Sequence, residues 1–94
     1  MRRAARTDAN QVAVVKALRK IGASVCPLHT VGGGCPDLLA GLRGENMLIE
    51  VKDGSKPPSA RKLTPDEARF INNWRGTVYV VCSPEEAIKA VTQR

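Results

Sequence analysis

Aromatic side chains are scarce: the 94 residues hold only Phe70, Trp74 and Tyr79. Proteins that bind single strands by stacking use several rings, so stacking on bases is not expected as the main binding mode. Cysteine is sparse and odd in number. Cys26, Cys35 and Cys82 are widely spaced, which gives no disulfide framework and reads as small buried strand residues in a reducing setting. Cys26, His29 and Cys35 follow a C-x₂-H-x₅-C spacing that matches no standard zinc pattern and has no fourth ligand nearby. Long apolar runs are missing, and the opening residues MRRAARTDANQ are polar, so neither a signal peptide nor a membrane partner is expected. A cytoplasmic location follows as the expectation. No internal repeat or low-complexity tract is present.

What remains is the composition of a folded domain. Apolar residues make up 43% and charged residues 26%, ordinary values for a globular chain. Residues 1–94 are expected to form a single domain with one thin core. Fifteen Lys and Arg against nine Asp and Glu give a net charge of +6. So basic a balance suits a polyanionic partner, with solubility as the plainer explanation.

Residues 8–21 predict a helix, capped by Thr7 or Asp8 and stopped by Gly22, with Val14, Leu18 and Ile21 as its apolar stripe. That stripe also brings Gln11, a polar residue, to the core-facing side. Residues 23–29 read as a weak strand in which Pro27 suggests an edge or bulge. Gly32, Gly33 and Gly34 follow, then a strand over 37–43, a short turn Gly44-Glu45-Asn46, and the clearest strand, 47–52 (MLIEVK). Residues 53–62 are a basic loop. Thr64-Pro65-Asp66-Glu67 makes a capping box for a helix running to Trp74 or Arg75 and closed by Gly76. Within it Phe70, Ile71 and Trp74 fall at helical spacing and are expected in the core. Residues 77–82 predict a buried strand, and Ser83-Pro84-Glu85-Glu86 opens a last helix with Ala87, Ile88 and Val91 inward. The order is α-β-β-β-α-β-α, an α/β fold whose short connections imply an antiparallel three-strand meander, extended by a fourth strand after a crossover helix.

Alternation along 47–52 puts Met47, Ile49 and Val51 on one face and Leu48, Glu50 and Lys52 on the other. In an antiparallel pair, the start of one strand lies beside the end of the next, so Asp37 is expected beside Glu50 and Lys52. Two carboxylates and a lysine brought together are costly without a purpose. They suit a hard divalent cation such as Mg²⁺, which takes one or two carboxylates and completes its shell with water and phosphate oxygens. Lys52 would orient a water, help to deprotonate it, or stabilise developing negative charge. A surface Glu–Lys pair with a turn aspartate is the plainer alternative.

Pro36-Asp37, twelve intervening residues, then Glu50-Val51-Lys52 resembles the PD-(D/E)xK nuclease signature. The Gly-rich loop before Pro36, the strand MLIEVK, the basic loop, Leu63-Thr64-Pro65 and Ser83-Pro84-Glu85-Glu86 extend the likeness, which is to the VRR-NUC (virus-type replication-repair nuclease) branch over roughly residues 7–92. The resemblance implies a restriction-endonuclease-like core with a mixed central sheet. It implies metal ligation by Asp37, Glu50 and the Val51 carbonyl, with Lys52 as the catalytic lysine. Gln11 matches a glutamine of the family's first helix, while the glutamate four residues earlier is replaced by Thr7, next to Asp8; one metal ion is therefore favoured over two. Glu67 stands where relatives commonly have glutamine, although capping with Thr64 accounts for it as well.

The resemblance further implies a Mg²⁺-dependent DNA endonuclease, with Mn²⁺ as a substitute ion and no small-molecule cofactor. Stand-alone viral relatives resemble Holliday-junction resolvases, so branched DNA, a homodimer and, for a viral protein, the host cytoplasm are the expectations. Flap, repair or restriction-type cleavage, or a non-catalytic binding module, are the alternatives. Lys56, Arg61 and Lys62 are candidate phosphate contacts against a plain solvated loop. Gly33 and Gly34 are candidates for close approach of DNA, although the run lacks the Lys-Ser/Thr of a P-loop. His29 is either a contact near the metal or a half-exposed strand residue.

Overall fold

Caps and turn residues set the element boundaries. The computed structural model describes residues 9–93, so the cap at Thr7 or Asp8 and the arginines at 2, 3 and 6 lie outside the described residues. The elements are α1 (Ala9–Lys20), β1 (Ser24–Pro27), β2 (Leu38–Leu42), β3 (Glu45–Val51), a 3₁₀ turn (Pro58–Arg61), α2 (Pro65–Asn73), β4 (Val78–Val81) and α3 (Pro84–Thr92). Their order is the one expected, with the 3₁₀ turn set into the basic loop.

Thr64 and Glu67 close a complete capping box on α2, with Pro65 at the first helical position. The α3 start repeats only half of it. Ser83 accepts from the Glu86 N–H, but the Glu86 carboxylate accepts from Cys82 N at 2.7 Å, one residue farther back. The hairpin between β2 and β3 turns on Arg43 and Gly44, at φ 56° and 80°, and not on Gly44-Glu45-Asn46. Leu42 pairs with Glu45, so the loop has two residues, and a two-residue hairpin whose central residues both have positive φ matches strand twist. Glu45 and Asn46 are thereby drawn into β3.

The sheet runs β1-β2-β3-β4 in space. The first three strands are antiparallel, and β4 lies parallel to β3 after the α2 crossover. Pro27 ends the edge strand β1, where its missing donor costs no ladder bond. One sheet face carries Leu38, Ala40, Met47, Ile49, Val51 and Val81, and it is sealed by Val14 and Leu18 of α1 and by Ala87 and Val91 of α3. Ile21 leaves the expected stripe because α1 stops at Lys20; it is 38% exposed, and Ala23 is buried instead.

The opposite face is only half covered. Register groups Leu39, Leu48, Glu50, Val78 and Val80 there, and Leu39 and Val80 stay exposed. The α2 helix has no fully buried residue. Trp74, expected in the core, caps the end of α2 at 49% exposure and stacks on Phe70 with ring centroids 5.2 Å apart. Its helical spacing is real, but no second layer of structure lies over that stripe among the described residues. The cysteines are not buried strand residues either: Cys26 is exposed, and Cys35 and Cys82 are half-buried in connections. No described helix is long and apolar enough to cross a membrane.

Candidate active site

The carboxyl end of β3 outruns its neighbour on one side. Leu38 of β2 pairs with Ile49, so Val51 lies beyond the start of β2. The N–H groups of Leu48 and Lys52 face β4, donating to Thr77 O at 3.0 Å and Val81 O at 2.8 Å. By strand alternation, the N–H and C=O of Val51 face the side where β2 has not yet begun. Asp37, one residue before β2, fills that gap: its Oδ2 accepts from Val51 N at 2.8 Å. The side chain therefore does locally what a further strand residue would do, and its carboxylate is fixed beside Glu50.

Glu50 is 3% exposed. Burial, with the Asp37 and Glu67 carboxylates beside it, pushes its carboxyl up to about 8. Burial also raises Asp37, against the Val51 N–H that favours its charged form. Lys52 Nζ lies 2.7 Å from Glu67 Oε1 and 3.6 Å from Glu50 Oε2. Burial would lower the lysine, but Glu67 and Glu50 outweigh it and hold it above the ordinary range. Glu67 is buried in part, which would raise it, yet Lys52 and the Thr64 N–H keep it below its usual value. Cys35 is pushed up by burial and by Asp37 and Glu50.

Glu67 thus has two tasks, since one oxygen accepts from Thr64 N at 2.9 Å and from Lys52 Nζ at 2.7 Å. The cap that orders α2 also ties that helix to the lysine. Gly34 makes this approach close: at φ 81°, a Cβ there would overlap the backbone of Asp66 and Glu67. Gly34 accordingly packs the loop against the first turn of α2. Gly33, at φ 65°, is exposed with open space around it.

The pocket at this end of the sheet has a volume of about 310 Å³ and brings together Gln11, His29, Asp37, Glu50, Val51 and Lys52, with Lys56 and Asp53 at its rim. Gln11, 6% exposed, comes from the first turn of α1. Of the basic loop, Lys56 reaches the pocket, Arg61 Nε donates to Lys56 O at 2.7 Å, and Lys62 is exposed. Asn10 was missed in the sequence. Its Nδ2 donates to Lys52 O at 2.7 Å and Cys82 O at 3.1 Å, pinning the ends of β3 and β4 to α1. Asp53 was missed too; it accepts from Ser55 N and Oγ and starts the basic loop with a turn. An aspartate two residues before a serine carries that signal, whereas nothing local marks Asn10.

Among the described residues no three His, Cys, Asp or Glu side chains are grouped to hold a metal. The oxygen donors in hand are the Asp37 and Glu50 carboxylates and the Val51 carbonyl. Two crowded, desolvated carboxylates beside a backbone carbonyl form a hard oxygen donor set, which fits an ion that would take its other ligands from water and phosphate.

Neither a protein-family model nor a curated protein sequence matches the chain. A solved structure described as a VRR_NUC domain is similar to it, with a TM-score of 0.64 and 30% sequence identity over 86% of this chain and 88% of that one. With that identity and coverage joined to the mixed four-stranded sheet, the chain belongs to the VRR-NUC family of nuclease domains, on the PD-(D/E)xK fold.

Proposed function

We propose that the protein is a Mg²⁺-dependent, structure-specific DNA endonuclease that hydrolyses phosphodiester bonds, with four-way junctions as its substrate. The convergence of Asp37, Glu50 and Lys52 at the open end of β3 carries this reading. Asp37, Glu50 and the Val51 carbonyl are the residues that would hold the ion. When bound, a divalent cation supplies charge stabilisation at the scissile phosphate and acidifies a coordinated water.

The remaining work falls to the chain itself. Glu67 holds the Lys52 ammonium over Glu50, where Nζ can donate to a phosphate oxygen or orient the attacking water. Gln11 offers an amide from the α1 side to position that water or the phosphate. Lys56 at the rim, with Arg61 and Lys62 behind it, attracts the DNA backbone. Gly33 leaves room for a strand to come near, while the tight packing of Gly34 keeps the loop in place.

Four-way junctions need two cuts on opposing strands, and one chain offers one Asp37–Glu50–Lys52 set. The working unit is therefore a homodimer, with two sites related by a two-fold axis. Light scattering should give about twice the 10.1 kDa chain mass.

Purified protein incubated with labelled linear, flap and four-way DNAs tests the function. With Mg²⁺ or Mn²⁺, paired cuts in the four-way substrate are expected; EDTA should stop them, and Ca²⁺ should support binding alone. Cutting confined to flaps by a monomer would move the assignment to a repair-type nuclease. No cleavage of any DNA with either ion would overturn it.

A further inference from the structure

A second cavity adjoins the first. It is a groove of about 410 Å³ between α1 and the edge strand β1, within the roughly 300–1,000 Å³ of ordinary ligand sites. Gln11 and His29 line both cavities, so the groove opens directly beside Asp37 and Glu50. Its wall is apolar, made by Val12, Val15 and Pro27, and Val12 is 54% exposed. Its rim is cationic. Arg19 is partly engaged, donating from Nη2 to Val25 O at 3.1 Å. Lys16 is exposed and forms no ion pair with any described residue. At the junction of the two cavities, His29 Nδ1 is buried and has no hydrogen-bond partner among the described residues.

We propose that this α1–β1 groove is the seat of one unpaired nucleotide next to the scissile phosphate, its base against Val12, Val15 and Pro27 and its phosphate on Lys16. The inference rests on the nuclease reading of the adjoining site. An apolar slot with cations along one rim matches a nucleotide, which has one apolar surface and one anion. A base in an intact duplex cannot leave its stack without losing several kcal/mol, whereas a base at a branch point or flap is already free. The groove therefore selects substrates at the point of cutting, by the presence of a loose nucleotide. His29 lines both cavities and so borders the place where the groove meets the cleavage site.

Binding in Ca²⁺ and single-turnover cleavage in Mg²⁺ are measured separately, on a flap DNA carrying either a normal or an abasic nucleotide beside the cut. The proteins are wild type, Val12→Asp and Lys16→Ala, both changes lying on the exposed side of α1, with circular dichroism as the check on folding. Wild type should bind the abasic flap about three- to tenfold more weakly. Val12→Asp should show that loss on the normal flap and no further loss on the abasic one. Lys16→Ala should lower the salt slope of binding by about 1. The same pattern in binding without any turnover would uphold the groove and overturn the nuclease reading. Equal behaviour of all three proteins on both flaps, with turnover intact, would overturn the groove alone. A fall in mass by light scattering for Val12→Asp, with DNA affinity unchanged, would overturn it in favour of a second copy of the chain, and absence of DNA binding by wild type would overturn both.

Discussion

The two faces of the sheet are built on opposite principles. On one, Leu38, Ala40, Met47, Ile49 and Val81 are sealed beneath α1 and α3 with almost no exposure. On the other, Leu39 and Val80 remain exposed, α2 has no fully buried residue, and Glu50 lies buried beside Asp37, Glu67 and Lys52. The sealed face holds the fold together, and on the half-open face burial and neighbouring carboxylates raise Glu50 and Asp37. β3 joins the two, since its alternate residues serve each in turn.

Substitutions on the sealed face should change stability and leave the chemistry alone. Leu38→Ala or Ile49→Ala should each lose about 2–5 kcal/mol of unfolding free energy, read by urea denaturation, while the folded fraction keeps its metal response. A loss below about 1 kcal/mol would show that the sealed face is not the main source of stability.

The half-open face should respond to ions instead. Mn²⁺ at about one hundred times its Kd should stabilise wild type by roughly 2.7 kcal/mol, about 10–20 °C in Tm for a domain of this size. Glu50→Gln and Asp37→Asn should lose that gain. An equal gain in both variants would place the ion elsewhere.

A smaller effect sits where α2 meets the site. Thr64→Ala removes the acceptor for the Glu67 N–H, 3.2 Å away, and should weaken the helix by about 1 kcal/mol. Because Glu67 also holds Lys52, cleavage should fall with it. A stability loss with cleavage unchanged would separate the cap from the lysine and contradict their coupling.

These two faces were not equally legible in the sequence. MLIEVK displays its alternation outright, and the proline and glycines before Asp37 mark the strand start that brings it to Glu50. The antiparallel order of the first three strands followed from short connections. Other features depended on what the chain meets in space. Arg43 takes a left-handed turn position that its side chain does not advertise, so the hairpin was expected one residue late. Phe70, Ile71 and Trp74 have core spacing, but spacing does not reveal whether a covering layer exists. Asn10 reaches carbonyls 42 and 72 residues away, a partnership with no local signature. Glu67 reads as a cap and is one, yet its link to Lys52 depends on how closely Gly34 lets the loop approach α2.

The role of Asp37, Glu50 and Lys52 is tested by single-turnover DNA cleavage in Mg²⁺ by wild type, Asp37→Asn, Glu50→Gln and Lys52→Ala, each confirmed folded by circular dichroism and tested for DNA binding in Ca²⁺. All three variants should bind DNA, and each should cut at least about 10²-fold more slowly. Cleavage at the wild-type rate by any one of them, in folded protein, would contradict that role.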